Sequence, residues 1–191
     1  MNMYEKILTI IEKNGPVSFS SICNEINDSQ GYENNQEKPI KIAQVKSAVS
    51  RKKDLFSVDD NIVSIRQEKE LVSLTASIGG FPGPTHLIRV DFINEVFYFF
   101  EWCIDCKVSE KQKRLVTMGS VEQFKKEIYK MKIWDWKRNY QLDHLVLDGT
   151  SWNVKLKTKS KVYESEGLES FPSEWTKFSR AINKLTGIYF H

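Results

Sequence analysis

PIKIAQVKSAVSRKKDLFSVDDNIVSI, residues 39–65, changes its apolar rhythm half-way along. Ile42, Val45 and Val49 recur at helical spacing and predict a helix from Pro39 to about Lys53 with that stripe buried. Pro39 fits a first turn, whose N–H groups have no partner within the helix. Leu55, Phe56 and Val58, then Asp59-Asp60-Asn61, then Ile62, Val63 and Ile65 predict two short strands joined by a turn. Between Lys38 and Lys53 the chain carries six cations (Lys38, Lys41, Lys46, Arg51, Lys52, Lys53) and no carboxylate.

Upstream, Tyr4, Ile7, Leu8 and Ile11 share one helical face, and Asn14-Gly15-Pro16 ends that helix. Residues 16–18 read as a short extended piece. Ser18 then caps a second helix carrying Phe19, Ile22, Cys23 and Ile26, and the polar run from Asn27 to Lys38 reads as a loop. Three helices, an extended piece after the first and a closing hairpin make a winged helix-turn-helix plan over residues 1–66. With its opening ILTIIEKNGPVSFSSICNEI, its long polar loop and its KIAQVKSAVSRKKDLFSVDDNIVSI ending, the segment Tyr4–Arg66 resembles the HARE-HTH winged helices. That class includes the N-terminal domain of the bacterial RNA polymerase delta subunit. The resemblance covers about a third of the chain. It implies binding to DNA, or docking onto a DNA-bound protein, and it implies no catalysis.

Rotating about 100° per residue away from the Ile42/Val45/Val49 stripe brings Gln44, Ser47 and Arg51 opposite the core, flanked by Lys41 and Lys46. In a major groove, Arg51 and Gln44 are suited to base edges, and Lys41, Lys46, Lys52 and Lys53 to phosphates, with Ser47 between them. The same cations have a plainer use. A soluble helix needs a polar outer face, and Arg51, Lys52 and Lys53 complement the negative end of the helix dipole.

Residues 67–70 read as a linker, after which the period changes. Alternation in 71–78 and 85–92, and the stretch Val96–Trp102, predict three strands. Val121, Phe124, Ile128 and Met131 predict a helix, and Leu145, Leu147, Asp148-Gly149, Trp152, Val154 and Leu156 a hairpin turning at Asp148-Gly149. Phe171-Pro172 precedes a closing helix carrying Trp175, Phe178, Ile182 and Leu185. The order β-β-β-α-β-β-α over residues 71–191 predicts an antiparallel sheet with helices on one side, so that the whole chain is α+β.

Several strings in this half invite chemistry. Trp102-Cys103-Ile104-Asp105-Cys106-Lys107 has the spacing of a thiol oxidoreductase site, but no apolar helix face follows it. A zinc site on that pair needs His86 and His144, or Cys23, and a lone CxxC is a weak signal. Gly79-Gly80-Phe81-Pro82-Gly83-Pro84 lacks the Lys-Ser/Thr and helix of a P-loop and reads as a strand connection. Asp143, Asp148, Asn153 and Lys155 suggest a metal-dependent nuclease, yet Asn153 stands where the second acid belongs. Trp134, Trp136, Tyr140, Trp152 and Trp175, with Lys155, Lys157, Lys159 and Lys161 alternating along one strand face, suggest a secondary nucleic-acid surface. The competing account is a tryptophan-rich core with lysines guarding a sheet edge. Three histidines, His86, His144 and His191, leave few general bases, so neither a catalytic site nor a metal or other cofactor is assigned.

The chain of 191 residues is 40% hydrophobic and 12% aromatic, which favours a folded protein over a disordered one. Val96–Phe100, its longest apolar run, is too short to span a membrane, and three cysteines are too few for a disulfide framework. These features predict a cytoplasmic protein. The net charge is only +3, with 9 basic and 10 acidic side chains in residues 1–68 and 19 and 15 in residues 69–191. Any nucleic-acid footprint therefore depends on local clustering. The sequence predicts a non-catalytic DNA-binding regulator or adaptor whose second domain binds a partner or ligand, or self-associates. The alternatives are a protein–protein adaptor without DNA contact, and a small nuclease or thiol oxidoreductase centred on the second domain.

Overall fold

The computed structural model describes residues 2–31, 38–80, 83–102, 119–142 and 148–190. It is a mixed α+β protein that divides into two compact units, Met1–Glu70 and Leu71–His191.

In the first unit, α1 (Met3–Asn14) is opened by Asn2, whose side chain accepts from the Glu5 N–H while the Glu5 carboxylate accepts from the Asn2 N–H. It is closed by Gly15 at φ 76°, a left-handed value that costs glycine nothing. β1 (Val17–Ser18) follows, and Ser18 Oγ accepts from Ser21 N at 3.1 Å to start α2 (Phe19–Gly31), as the sequence predicts. α2 continues to Gly31 and not to about Ile26, so residues 27–31 of the expected loop are helical.

α3 (Ile42–Arg51) is shorter than expected at both ends. Pro39 lies ahead of it and not in its first turn, because the backbone is still extended at the N-cap, Lys41, and the side chain of Asn27 takes up both backbone hydrogen-bonding groups of Ile40. Asn27 Oδ1 accepts from Ile40 N at 2.7 Å and Asn27 Nδ2 donates to Ile40 O at 3.0 Å. Cys23 Sγ donates to the same carbonyl at 3.0 Å. The buried stripe of α3 is Val45, Ala48 and Val49, and Ile42, expected within it, is 43% exposed. β2 (Phe56–Asp59) and β3 (Ile62–Ile65) form a hairpin whose tip residues, Asp60 and Asn61, both have positive φ, the requirement of a tight two-residue turn. β1 pairs antiparallel with β3, giving a three-stranded sheet in the order β1-β3-β2. Ile7, Leu8, Ile22, Ile26, Val45, Phe56 and Val63 are almost wholly buried and tie the helices to the sheet.

The second unit is a six-stranded sheet in the order β6-β5-β4-β8-β9-β7. β4 (Leu71–Gly79), β5 (Thr85–Asp91) and β6 (Val96–Trp102) form a meander close to the expected boundaries. α4 (Val121–Met131) follows, capped by Ser120 and stopped by Lys132 in the left-handed region. A single 3₁₀ turn, Ile133–Asp135, leads to β7 (Asn139–Tyr140). β7 pairs parallel with β9, so the sheet is not wholly antiparallel, and two residues are too few to show a periodicity. α5 (Trp175–Thr186) closes the unit.

The hairpin expected at Asp148-Gly149 lies elsewhere. Leu145 and Leu147 are outside the described residues, and β8 (Ser151–Thr158) pairs with β9 (Val162–Leu168) through a turn at residues 158–161. Thr158 makes that turn: its Oγ1 donates to Lys161 O at 2.8 Å and accepts from Lys161 N at 3.0 Å. β8 is an interior strand between β4 and β9, so its lysines do not guard an edge.

Leu74, Ala76, Ile78, Ile88, Val90, Phe99, Trp152, Val154 and Leu156 form the buried face of this sheet. Phe92 stacks on Phe124 of α4, and Trp152 lies 4.6 Å, centroid to centroid, from Trp175 of α5, which places both helices on that face. The indole of Trp152 lies across Gly167 of β9, where a Cβ would stand 2.6 Å from Nε1, and Nε1 donates to Ser170 O at 2.8 Å. Only glycine leaves room there.

Candidate nucleic-acid interface

Lys41, Gln44, Lys46, Ser47, Arg51 and Lys53 are exposed and Lys52 is half-buried; Gln44, Lys46, Ser47 and Arg51 stand on α3, away from its buried stripe, whereas Lys41 and Lys52 flank it and Lys53 follows. No carboxylate interrupts them along the chain. Several are already engaged within the unit. Gln44 Oε1 accepts from Lys41 N at 2.8 Å and so caps the helix it was expected to read with, which leaves its amide N–H groups for a ligand. Arg51 folds back on its own helix, Nε to Ser47 O and Nη2 to Ser47 Oγ, both at 3.3 Å. Lys46 Nζ rests 5.3 Å from the centre of the Phe19 ring and Lys52 Nζ 4.7 Å from that of Tyr4. Contacts of this size are worth about 0.5–1 kcal/mol at exposed sites, so they orient the ammonium groups without withholding them from a phosphate. The hairpin tip is of the opposite sign, with Asp59 and Asp60 exposed beside Asn61.

The second nucleic-acid surface expected from sequence does not assemble as drawn. Trp134, Trp152 and Trp175 are buried, and Trp152 occupies the helix-bearing face of β8. Lys155 and Lys157 alternate with it and occupy the other face, whereas Lys159 and Lys161 stand in the turn beyond the strand. Lys155 Nζ is paired with Glu164 Oε1 at 2.8 Å, and this pairing holds the Glu164 carboxyl below its ordinary pKa. Lys161 Nζ sits 4.8 Å from the centre of the Tyr163 ring.

No known family model matches the chain, and neither a curated protein nor a solved structure does.

Cys103, Cys106, Asp143 and His144, around which the thiol, zinc and nuclease readings turn, lie outside the described residues, as does His191. Cys23 is buried and spent on the Ile40 carbonyl, and His86 Nε2 faces Glu101 Oε2 at 3.7 Å. Among the described residues no three His, Cys, Asp or Glu side chains converge as metal ligands would. None of their helices is long and apolar enough to cross a membrane.

Proposed function

We propose that residues 1–66 are a winged-helix domain that docks on double-stranded DNA, or on a DNA-bound protein, through the outer face of α3, and that the protein is a non-catalytic regulator or adaptor. The observation that carries this reading is the exposed, carboxylate-free face of α3, backed by a buried stripe that fixes its orientation. A ridge of cations on a rigid helix matches the regular negative charge of a duplex, and release of condensed counterions then supplies most of the affinity.

The test uses the full chain, a fluorescent duplex of mixed sequence and a Lys41→Ala/Arg51→Ala/Lys53→Ala variant, which spares the lysines resting on aromatic rings. The wild type binds with steep salt dependence, and the variant lowers the slope of log affinity against log salt by up to about 2.7, near 0.9 for each phosphate left without its cation. Equal binding by both proteins eliminates α3 as the contact. The acidic hairpin tip favours a second reading, an adaptor that meets a protein partner, and that reading predicts no duplex binding even at low salt.

A further inference from the structure

The sheet of the second unit has a face that no helix among the described residues covers, and its cross-strand registers place residues from five strands side by side. Tyr98, Arg89, Thr75, Lys155 and Glu164 form one row, and Phe100, Leu87, Ser77, Asn153 and Glu166 the next. Val96, Asp91, Ser73, Lys157 and Val162 flank them on one side, with Trp102 at the opposite end of β6. Tyr98 is 46% and Trp102 43% exposed, and Phe100 is half-buried between them. These rings occupy alternate positions of one strand and therefore point the same way. Three hydroxyls of β4, Ser73, Thr75 and Ser77, separate them from the lysines of β8.

Charge decides what such a face accepts. Each acid on it is accounted for. Asp91 accepts from Ile93 N, Asn94 N and Asn94 Nδ2, Glu164 pairs with Lys155, and Glu166 faces the amide of Asn139 within 3.1 Å. Arg89 and Lys157 have no carboxylate within ion-pair distance among the described residues, and the Arg89 guanidinium lies 5.8 Å from the centre of the Phe100 ring. An apolar protein surface laid here would bury both cations unpaired, which is costly. A second copy would bring two more of the same sign. A nucleic-acid strand satisfies both demands: its bases stack on the rings and its phosphates meet the cations. A duplex does not, since its bases are already stacked on one another.

We infer that the helix-free face of this sheet is a binding platform for single-stranded nucleic acid, with Tyr98, Phe100 and Trp102 stacking bases and Arg89 and Lys157 holding phosphates. The inference is independent of α3, whose proposed ligand is a duplex.

The experiment follows anisotropy of labelled oligothymidylate, oligouridylate and duplex probes, each about 15 nucleotides or base pairs long, at about 50 and 200 mM salt with the full chain. Tyr98→Ala is expected to weaken single-strand binding at least about fivefold and to leave duplex binding unchanged, while Tyr98→Phe, which keeps the ring, binds as the wild type. Arg89→Ala/Lys157→Ala is expected to lower the single-strand salt slope by about 1.4. The two single-stranded probes show whether DNA or RNA is preferred, and binding of either supports the inference. Thermal unfolding checks that each variant is folded. The inference is overturned by absence of single-strand binding at the lower salt, or by equal affinity in folded Tyr98→Ala. It is also overturned if the α3 variant loses single-strand binding in full, which places the strand on the first unit. Finally, it falls if sedimentation shows a dimer that Tyr98→Ala dissociates, which assigns the face to a second copy.

Discussion

The outer face of α3 and the helix-free face of the six-stranded sheet are both polar surfaces with cations, yet they are assembled in opposite ways. Around α3 every cation comes from one short segment, Lys46 and Arg51 within the helix and Lys41, Lys52 and Lys53 at its ends, and no acid intervenes. On the sheet the cations with no acid partner among the described residues, Arg89 and Lys157, come from β5 and β8, with a row of hydroxyls between them and aromatic rings to one side. The first is a convex ridge of one sign, suited to a regular array of phosphates. The second is a plane on which ring faces are available, and there charge density matters less than stacking. Similar numbers of lysines and arginines thus carry different consequences, because burial and acid partners decide which of them remain available.

The sharpest way to break this contrast is to truncate side chains on the two sides of β8, where one strand serves both the core and the free face. Trp152→Ala removes an indole packed against Trp175, Phe171 and Tyr140 and is expected to cost about 3–5 kcal/mol in denaturant unfolding. Lys157→Ala, facing the other way, is expected to change stability by less than about 0.5 kcal/mol. Similar losses would mean that the free face is packed. Next in size is Asn27→Ala, which strips the Ile40 N–H of its acceptor and the Ile40 carbonyl of one of its donors, at a cost of about 1–3 kcal/mol. It should weaken duplex binding by loosening the start of α3 while leaving single-strand binding alone. Weakening of both would show that the two surfaces are coupled.

The smallest effect belongs to Asp91, at the β5 end of the free face. Hydrogen bonds from the Asn94 backbone and side chain, and then from Ile93, hold its carboxyl below the ordinary 3.8. A carboxylate with a depressed folded-state pKa contributes its stability in full above the ordinary value and loses it as pH falls through the folded value. Asp91→Asn should therefore lower stability slightly at neutral pH, where the contribution is fully present, and flatten the loss of stability on acidification below 3.8. A carboxyl carbon titration by NMR with a midpoint at or above the ordinary value would contradict this.

What could be read from sequence follows the same division. α1, the start of α2, and Val45 and Val49 of the α3 core were legible because helical periodicity and capping are local: Asn14-Gly15-Pro16 and Ser18 sit where α1 ends and α2 begins. The start of α3 was not legible, since a contact across 13 residues, Asn27 to Ile40, overrides the preference of Pro39 for a first turn. In the second unit the lysine alternation ran on through the turn made by Thr158, because alternate lysines look alike in a strand and in a tight connection. Asp148-Gly149 offered a familiar turn signal nearby and drew the expected hairpin away from β8 and β9. The free face left no signal in the sequence. Tyr98, Arg89 and Lys157 come onto one face only through strand registers that no local pattern records.

Asn27 treats Ile40 as a neighbouring strand would, accepting from its N–H and donating to its carbonyl. A side chain of α2 thereby stands in for a strand partner just ahead of α3, so the place where that helix can begin is set from a residue 13 positions upstream, and a substitution on one helix reaches the first turn of the next.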